Sequence, residues 1–566
     1  MTRIFRHALF IAAVLCANAR ADVSMISYFG GSGDDEVKGA AFMSNGDIVI
    51  GGTSTSSSIA ATQGTKLADG NGFVARLDRE GTAVKWLVRL ASVKKVETGP
   101  QDAVYVMLDK SVSVLASDGS KFVREGSDLG ATTVTMDAAA DGSIAVLAGG
   151  NAIFLKPDGT EKWRKAVGRS HPLSLAIDPA TMDVWVGGDK NTNTGYEPWR
   201  SPFLFQYAAS NGERKTVLWD WPGPAVRADG KQLQADSFIR FLQFSADGRL
   251  WVGAGSDGGN TVLTKKPDNL DQAQDALSGS CFSGPCFGYK GAKKTGKFGR
   301  MNASITDFER ASWVVPYGGM DPGAHLDPPC GCKGGNFQGT GVNPGSFAVS
   351  AMLPIADSVI ILGNPWGKGP ATKDGWFYNT VYPGGGIGWM AVFSNDLKQI
   401  TQASMIPGTR NAIGAYRGGR LLVAGKAADF SGATIDPAEK DWHVSLPASQ
   451  GAIQKQYAGG KSDGYFILAC MTNVQECNST NAVHAPPMCG KKSMHAPVLT
   501  TEGLLLGNEP AIGAYSLVTV SGRIIQSGII PFNRRISLKG NYAHKLHILQ
   551  ISGSDRTWTW KIVGRD

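Results

Sequence analysis

Apolar residues along this chain fall in short runs, alternating with polar residues or continuous, each closed by glycine, aspartate or asparagine. No long stripe at a 3.6-residue spacing appears, so strands rather than helices are predicted throughout. Two modules recur. The first is a turn followed by a short apolar strand and small residues, as in Asn45-Gly46-Asp47-Ile48-Val49-Ile50-Gly51-Gly52 and Asp141-Gly142-Ser143-Ile144-Ala145-Val146-Leu147. It returns as Asp247-Gly248-Arg249-Leu250-Trp251-Val252-Gly253 and Gly418-Gly419-Arg420-Leu421-Leu422-Val423. The second is an apolar strand, a turn and a strand bearing tryptophan: Phe73 to Asp78 leads to Trp86, Ile153 to Gly159 leads to Trp163, and Phe203 to Tyr207 leads through Asn211-Gly212 to Trp219.

The turns at Asp78, Asp118 and Asp158 lie about 40 residues apart, the period of a four-stranded propeller blade. One four-stranded sheet cannot cover both of its faces, whereas a closed ring packs each sheet between two neighbours. The predicted fold is therefore an all-β propeller of four-stranded blades. Seven blades are expected, and the divergence of the C-terminal third leaves eight open. Residues 558–564 read as a blade-edge strand that completes a blade with the N-terminal segment and closes the ring. The 73 glycines and the low charged fraction of 18% fit many short strands joined by tight turns.

The rhythm breaks twice. Residues 256–346 read as an irregular insertion carrying Cys281, Cys286, Cys330 and Cys332. A second irregular loop, about 472–497, holds Cys477 and Cys489, with Cys470 just before it. This divides the chain into residues 22–255 with the first blades, the insertion, and residues 347–566 with the remaining blades.

The first 21 residues carry Arg3, Arg6 and His7, an apolar run from Ala8 to Leu15, and Ala19-Arg20-Ala21 before Asp22. A basic start, a short apolar stretch and an A-x-A exit are the marks of a secretory signal peptide. The run is far below the roughly 20 residues that span a bilayer, and nothing after Asp22 reads as a transmembrane segment. Val14 and Leu15 before Cys16 do not form a lipobox. The expected location is secreted: periplasmic, extracellular or at the cell surface. The net charge of +8 falls to +5 without Arg3, Arg6 and Arg20. Spread over such a length it excludes a nucleic-acid partner, which requires clustered charge, and leaves weak attraction to acidic glycans or envelope surfaces.

Residues 28–53, from Tyr28-Phe29-Gly30-Gly31-Ser32-Gly33-Asp34-Asp35-Glu36 through Gly46-Asp47-Ile48-Val49-Ile50-Gly51-Gly52-Thr53, resemble the bacterial secreted β-propeller repeat called SBBP. The phrase from Lys156 to Trp163 is similar, less closely, to the PQQ-like propeller repeat. Both resemblances imply a fold and neither implies a chemistry. The second points towards quinoprotein dehydrogenases, which place adjacent cysteines against their cofactor; no adjacent cysteines occur here.

Candidate chemistry is sparse. His325, Asp327, Cys330 and Cys332 fall within eight residues and form a metal-ligand set on paper. The C-x-C spacing departs from a zinc knuckle, and in an oxidising compartment Cys281, Cys286, Cys330, Cys332, Cys470, Cys477 and Cys489 read first as disulfide candidates. Asp34, Asp35 and Glu36 read as a turn, with calcium as the alternative. No cofactor is expected beyond a structural calcium or zinc ion. No G-x-S-x-G, H-E-x-x-H or C-x-x-C-H motif occurs. Trp366, Trp376, Tyr378 and Trp389 crowd one glycine-rich stretch and are candidates for stacking on a sugar or anchoring a partner; inter-blade packing is the alternative. The expected role is a non-catalytic binding or scaffold module for an extracellular or envelope protein or polysaccharide. The rival is a glycan-active or redox enzyme with its site at the central channel beneath the insertion.

Overall fold

Seven antiparallel four-stranded sheets follow one another along the chain of this computed structural model, which describes residues 20–193, 198–221, 225–257, 260–278, 295–314, 347–355, 358–365, 375–377, 388–406, 408–428, 446–471 and seven strand segments between 498 and 563. Blade 1 comprises Asp35–Phe42, Ile48–Ser54, Gly72–Leu77 and Val84–Leu90, and blade 2 comprises Val93–Thr98, Val104–Leu108, Val112–Leu115 and Phe122–Arg124. Thr133–Ala138, Ile144–Ala148, Asn151–Leu155 and Glu161–Ala166 form blade 3; His171–Ile177, Val184–Asn193, Pro198–Tyr207 and Arg214–Leu218 form blade 4. Blade 5 takes Ser237–Phe244, Leu250–Ser256, Thr295–Met301 and Phe308–Val314, and blade 6 takes Phe347–Ile355, Ser358–Pro365, Gly388–Ser394 and Ile400–Ile406. Thr409–Arg417, Arg420–Ala428 and Ser462–Met471 supply three strands of blade 7. The fold is a seven-bladed β-propeller.

The fourth strand of blade 7 is Ala21–Phe29, the first of the chain, which pairs antiparallel with Ser462–Met471. Closure therefore joins the two ends of the ring by backbone hydrogen bonds, with the first strand as the outer edge of blade 7. Phe29 reaches across this junction, its ring 5.8 Å from that of Phe73 in blade 1 and 6.4 Å from that of Phe466. The segment expected to close the ring instead lies in Thr557–Val563, which pairs with Leu546–Ser552. It belongs to a separate compact unit, residues 484–566, with one four-stranded and one three-stranded sheet. The stretch 256–346 is likewise not all insertion, because Thr295–Met301 and Phe308–Val314 are the two outer strands of blade 5. Gly296, Lys297 and Gly299 dilute the apolar pattern of the first of these, which hid it from a periodicity reading.

The recurring tryptophan has a defined task. Trp86 on the outer strand of blade 1 donates its indole N–H to the Ser117 carbonyl in the outer turn of blade 2 (3.2 Å). Trp163 of blade 3 does the same to Ala209 of blade 4 (3.2 Å), with its ring stacked on Phe154 at 5.6 Å. The turn that receives each ring carries glycine at positive φ: Gly119 (φ +70) over Trp86 and Gly212 (φ +71) over Trp163. A Cβ at Gly212 would lie 2.8 Å from the Trp163 ring. The D-G and N-G turns thus serve two purposes, a left-handed backbone and a flat seat for the neighbouring blade's indole. Gly212→Ala should lower stability by about 1–3 kcal/mol, from the combined strain and contact. Urea unfolding should show the lower midpoint; an unchanged midpoint would refute this account of the turn.

Candidate functional site at the channel

The innermost strand of every blade carries a register shift. It falls between Val37 and Gly39, Val93 and Lys95, Thr133 and Thr135, Pro172 and Ser174, Ile239 and Phe241, Val349 and Ala351, and Arg410 and Ile413. Such bulges leave one extra residue unpaired and re-aim its side chain. In six blades the extra residues are Lys38, Lys94, Val134, Leu173, Arg240 and Ser350; all keep solvent exposure, and the residue before each is buried. Exposure on an innermost strand means exposure to the central channel. Three of these six positions are cations and none is a carboxylate; Glu36 and Glu97 on the same innermost strands are partly exposed beside them.

Two of these cations have local partners. Lys38 Nζ lies 3.8 Å from Glu36, and Lys94 Nζ lies 3.3 Å from Asp109 while donating to the Thr133 carbonyl (3.0 Å). Arg240 is held by stacking, its guanidinium 4.3 Å above the centre of the buried Phe238 ring. Arg200 shares that ring at 5.2 Å and is tied to Asp236 (2.8 Å) and Asp257 (3.4 Å). Burial and the neighbouring Arg200 pull Arg240 below the usual guanidinium value, against Asp189 and Asp257.

Beside Arg240, at the start of the innermost strand of blade 4, His171 Nδ1 meets Asp189 Oδ2 at 2.7 Å. The two face each other in the register of the first and second strands, as Ser237 and Ser256 do in blade 5 and Asp35 and Ser54 in blade 1. Asp189 is buried, which pushes its carboxyl up from the ordinary carboxylate range against the hydrogen bond from His171 and the two guanidiniums. The His171 ring, by contrast, is half exposed. Its orientation is fixed from behind, with the far edge of the ring turned towards solvent.

At the opposite rim, where the innermost strands end, a second polar group stitches three blades together. Lys95 of blade 2 binds Glu97 (2.7 Å) and donates to the Met136 carbonyl of blade 3 (2.7 Å); Glu97 accepts from Ala138 N (2.9 Å). Asp137 of blade 3 accepts from Ile177 N of blade 4 (2.7 Å). Burial and the Glu97 carboxylate push Asp137 up to about 7, with Lys95 offsetting only part of the rise.

The residues singled out from sequence are dispersed. Trp389 is fully buried in the core of blades 5 and 6 and presents no face for stacking. Trp376 is half-buried and donates its indole N–H to the Ala21 carbonyl (2.5 Å), bracing the closing strand. Cys470 lies half-buried opposite Asp22 and Arg420 in blade 7. Trp366, Tyr378, His325, Asp327, Cys281, Cys286, Cys330, Cys332, Cys477 and Cys489 lie outside the described residues. Among the described residues no group of three or more His, Cys, Asp or Glu side chains is placed to hold a metal. The turn expected at Asp34, Asp35 and Glu36 covers only Asp34, which accepts from Lys461 N (2.6 Å); Asp35 and Glu36 begin the innermost strand of blade 1, where Asp35 accepts from Gly31 N (2.7 Å). The sequence reading does not single out Lys38, Lys94 or Arg240, although each is a basic residue directly after an apolar one in an inner strand, a mark that aligning the repeats exposes.

No family model matches this chain, and no curated protein matches it. Among solved structures it is similar to the N-terminal domain of Nup159 (9% identity, 80% of this chain and 98% of that one, TM-score 0.35). It is similar also to a streptogramin B lyase (11% identity, 79% and 99%, TM-score 0.35) and to YCF48 bound to D1 peptide (9% identity, 72% and 93%, TM-score 0.32). The blade count comes from the strand pairing of the chain itself. No helix among the described residues is long and apolar enough to cross a membrane.

Because the folded state holds the Asp137 proton up to about pH 7 and the unfolded chain releases it near pH 4, folding takes up a proton between those limits. That contribution to stability is present at low pH and lost as pH rises through the window. Asp137→Asn should flatten this fall in melting temperature; parallel pH profiles for the two proteins would rule the assignment out.

Proposed function

We propose that this protein is a secreted or envelope-located binding propeller that takes an anionic extracellular or cell-surface partner, a polysaccharide or a protein, at the mouth of its central channel. The observation that carries this reading is the girdle of Lys38, Lys94 and Arg240, cations set by a repeated bulge on the innermost strands. Clefts lined by one sign of charge concentrate ligands of the other sign. A rigid ring holds the donors in place before the ligand arrives, which lowers the ordering cost of binding. The basic and apolar start of the chain and the resemblance of residues 28–53 to SBBP repeats support export.

Binding to an immobilised acidic polysaccharide, an acidic peptide and a neutral polysaccharide tests the reading. Wild type should retain an anionic ligand and lose it with rising salt. Arg240→Ala should weaken retention about tenfold or more, the worth of a charge-assisted hydrogen bond. Retention indifferent to both salt and Arg240 would overturn the proposal.

The His171–Asp189 pair favours a second reading, an enzyme with its site at the same rim. A histidine oriented by a buried carboxylate is the arrangement of a general base. If the bound polysaccharide is cleaved, His171→Ala should abolish product while leaving retention on the column intact. Equal product from both proteins would remove His171 from any chemistry.

A further inference from the structure

The junction between the last and first blades holds two buried carboxylates; Arg89 acts on Asp35 through space only, and no hydrogen bond or ion pair joins it to either. Asp35 begins the innermost strand of blade 1 and is 1% exposed; Asp463 is the second residue of the third strand of blade 7 and is 0% exposed. One oxygen of each is well used. Asp35 Oδ2 accepts from Gly31 N (2.7 Å) and Ser56 Oγ (2.8 Å), and Asp463 Oδ2 accepts from Ala458 N (2.7 Å) and Gln454 Nε2 (2.9 Å). The other oxygen of each, Oδ1, is sealed from solvent and has no hydrogen-bond partner. Both carboxylates converge on Gly30: a Cβ there would lie 2.4 Å from Asp463 Oδ1 and 2.9 Å from Asp35 Oδ2. The nearby Arg89 spends its N–H groups on Gln63 O, Ser54 Oγ and Ser56 O.

Burying an ionised carboxylate without a counter-charge costs several kcal/mol, and burying two side by side adds their repulsion. A divalent cation cancels both charges at once. The donors are hard oxygens, which excludes a soft metal and fits calcium, with backbone carbonyls and water filling the shell beyond the two side chains. We propose that a calcium-type cation binds between Asp35 and Asp463 and fastens the ring where its two ends meet. The proposal is independent of what the channel binds. It also gives Gly30 a purpose, since a Cβ there would crowd both carboxylates.

Equilibrium dialysis of the full chain against calcium, after stripping with a chelator, should show one ion bound per chain. Calcium should raise the melting temperature by several degrees. Asp463→Asn and Asp35→Asn, each nearly isosteric, should bind calcium more than about tenfold more weakly and lose the thermal response. Asp34→Asn, whose carboxylate holds Lys461 N instead, should keep both and controls for general damage. The proposal falls if calcium binds with the same stoichiometry and affinity in both ligand variants. It falls equally if wild type binds none and melts higher at mildly acid than at mildly alkaline pH, since the pair then shares a proton. Should one variant fail to fold, the other and the wild-type dialysis still decide.

Discussion

Everything in this ring depends on one pairing, that of Ala21–Phe29 with Ser462–Met471. Six blades are continuous in sequence and need only a hairpin rhythm. The seventh must recruit its last strand from across more than four hundred residues, and until it does every blade has a neighbour on each side except at that gap. Closure thus converts a row of sheets, each stabilised only by its neighbours, into a structure without ends. The junction is accordingly dense in interactions: Phe29 between Phe73 and Phe466, Trp376 on the Ala21 carbonyl, and Asp35 beside Asp463.

Closure also creates the channel, and the channel gives the inner-strand bulges their meaning. Inner strands are crowded on both faces by neighbouring blades, so an ordinary strand there would expose little. Inserting one residue per blade near the same rim opens an exposed position in each, independent of the blade's packing. The chain can then vary that position without disturbing the core. Lysine, arginine, valine, leucine and serine all occur there among the described residues. A scaffold and a chemically free lining are thereby separated on the same strand.

That separation explains what the sequence disclosed. Repeated turns and tryptophans announce the fold because every blade needs the same turn and the same indole seat; Gly119 over Trp86 and Gly212 over Trp163 obey one geometric rule. Blade 5 was harder to read, because its third strand trades apolar residues for Gly296, Lys297 and Gly299. The closing strand was misplaced for a different reason. Both Ala21–Phe29 and Thr557–Val563 look like edge strands locally, and only long-range pairing distinguishes them. The channel residues were illegible one at a time, since Lys38, Lys94 and Arg240 each resemble a solvated charge on a strand until the bulge aligns them. His171 and Asp189 are 18 residues apart and meet only through antiparallel register.

The two rims of the channel differ in a way that bears on which one meets a ligand. At the rim of Glu97 and Asp137, the polar groups are consumed by the neighbouring blade's backbone: Glu97 takes Ala138 N, Asp137 takes Ile177 N, and Lys95 reaches the Met136 carbonyl. Such groups act as inter-blade struts, and a ligand would have to displace a buried hydrogen bond to use them. At the rim of His171 and Arg240, the supporting groups stand behind. Asp189 and Phe238 are buried and face His171 and Arg240 from the protein side, leaving both exposed on the channel side. Charges braced from behind present their donors without first breaking an internal bond, whereas charges used as struts do not. The first rim therefore holds blades together, whereas at the second His171 and Arg240 stay exposed.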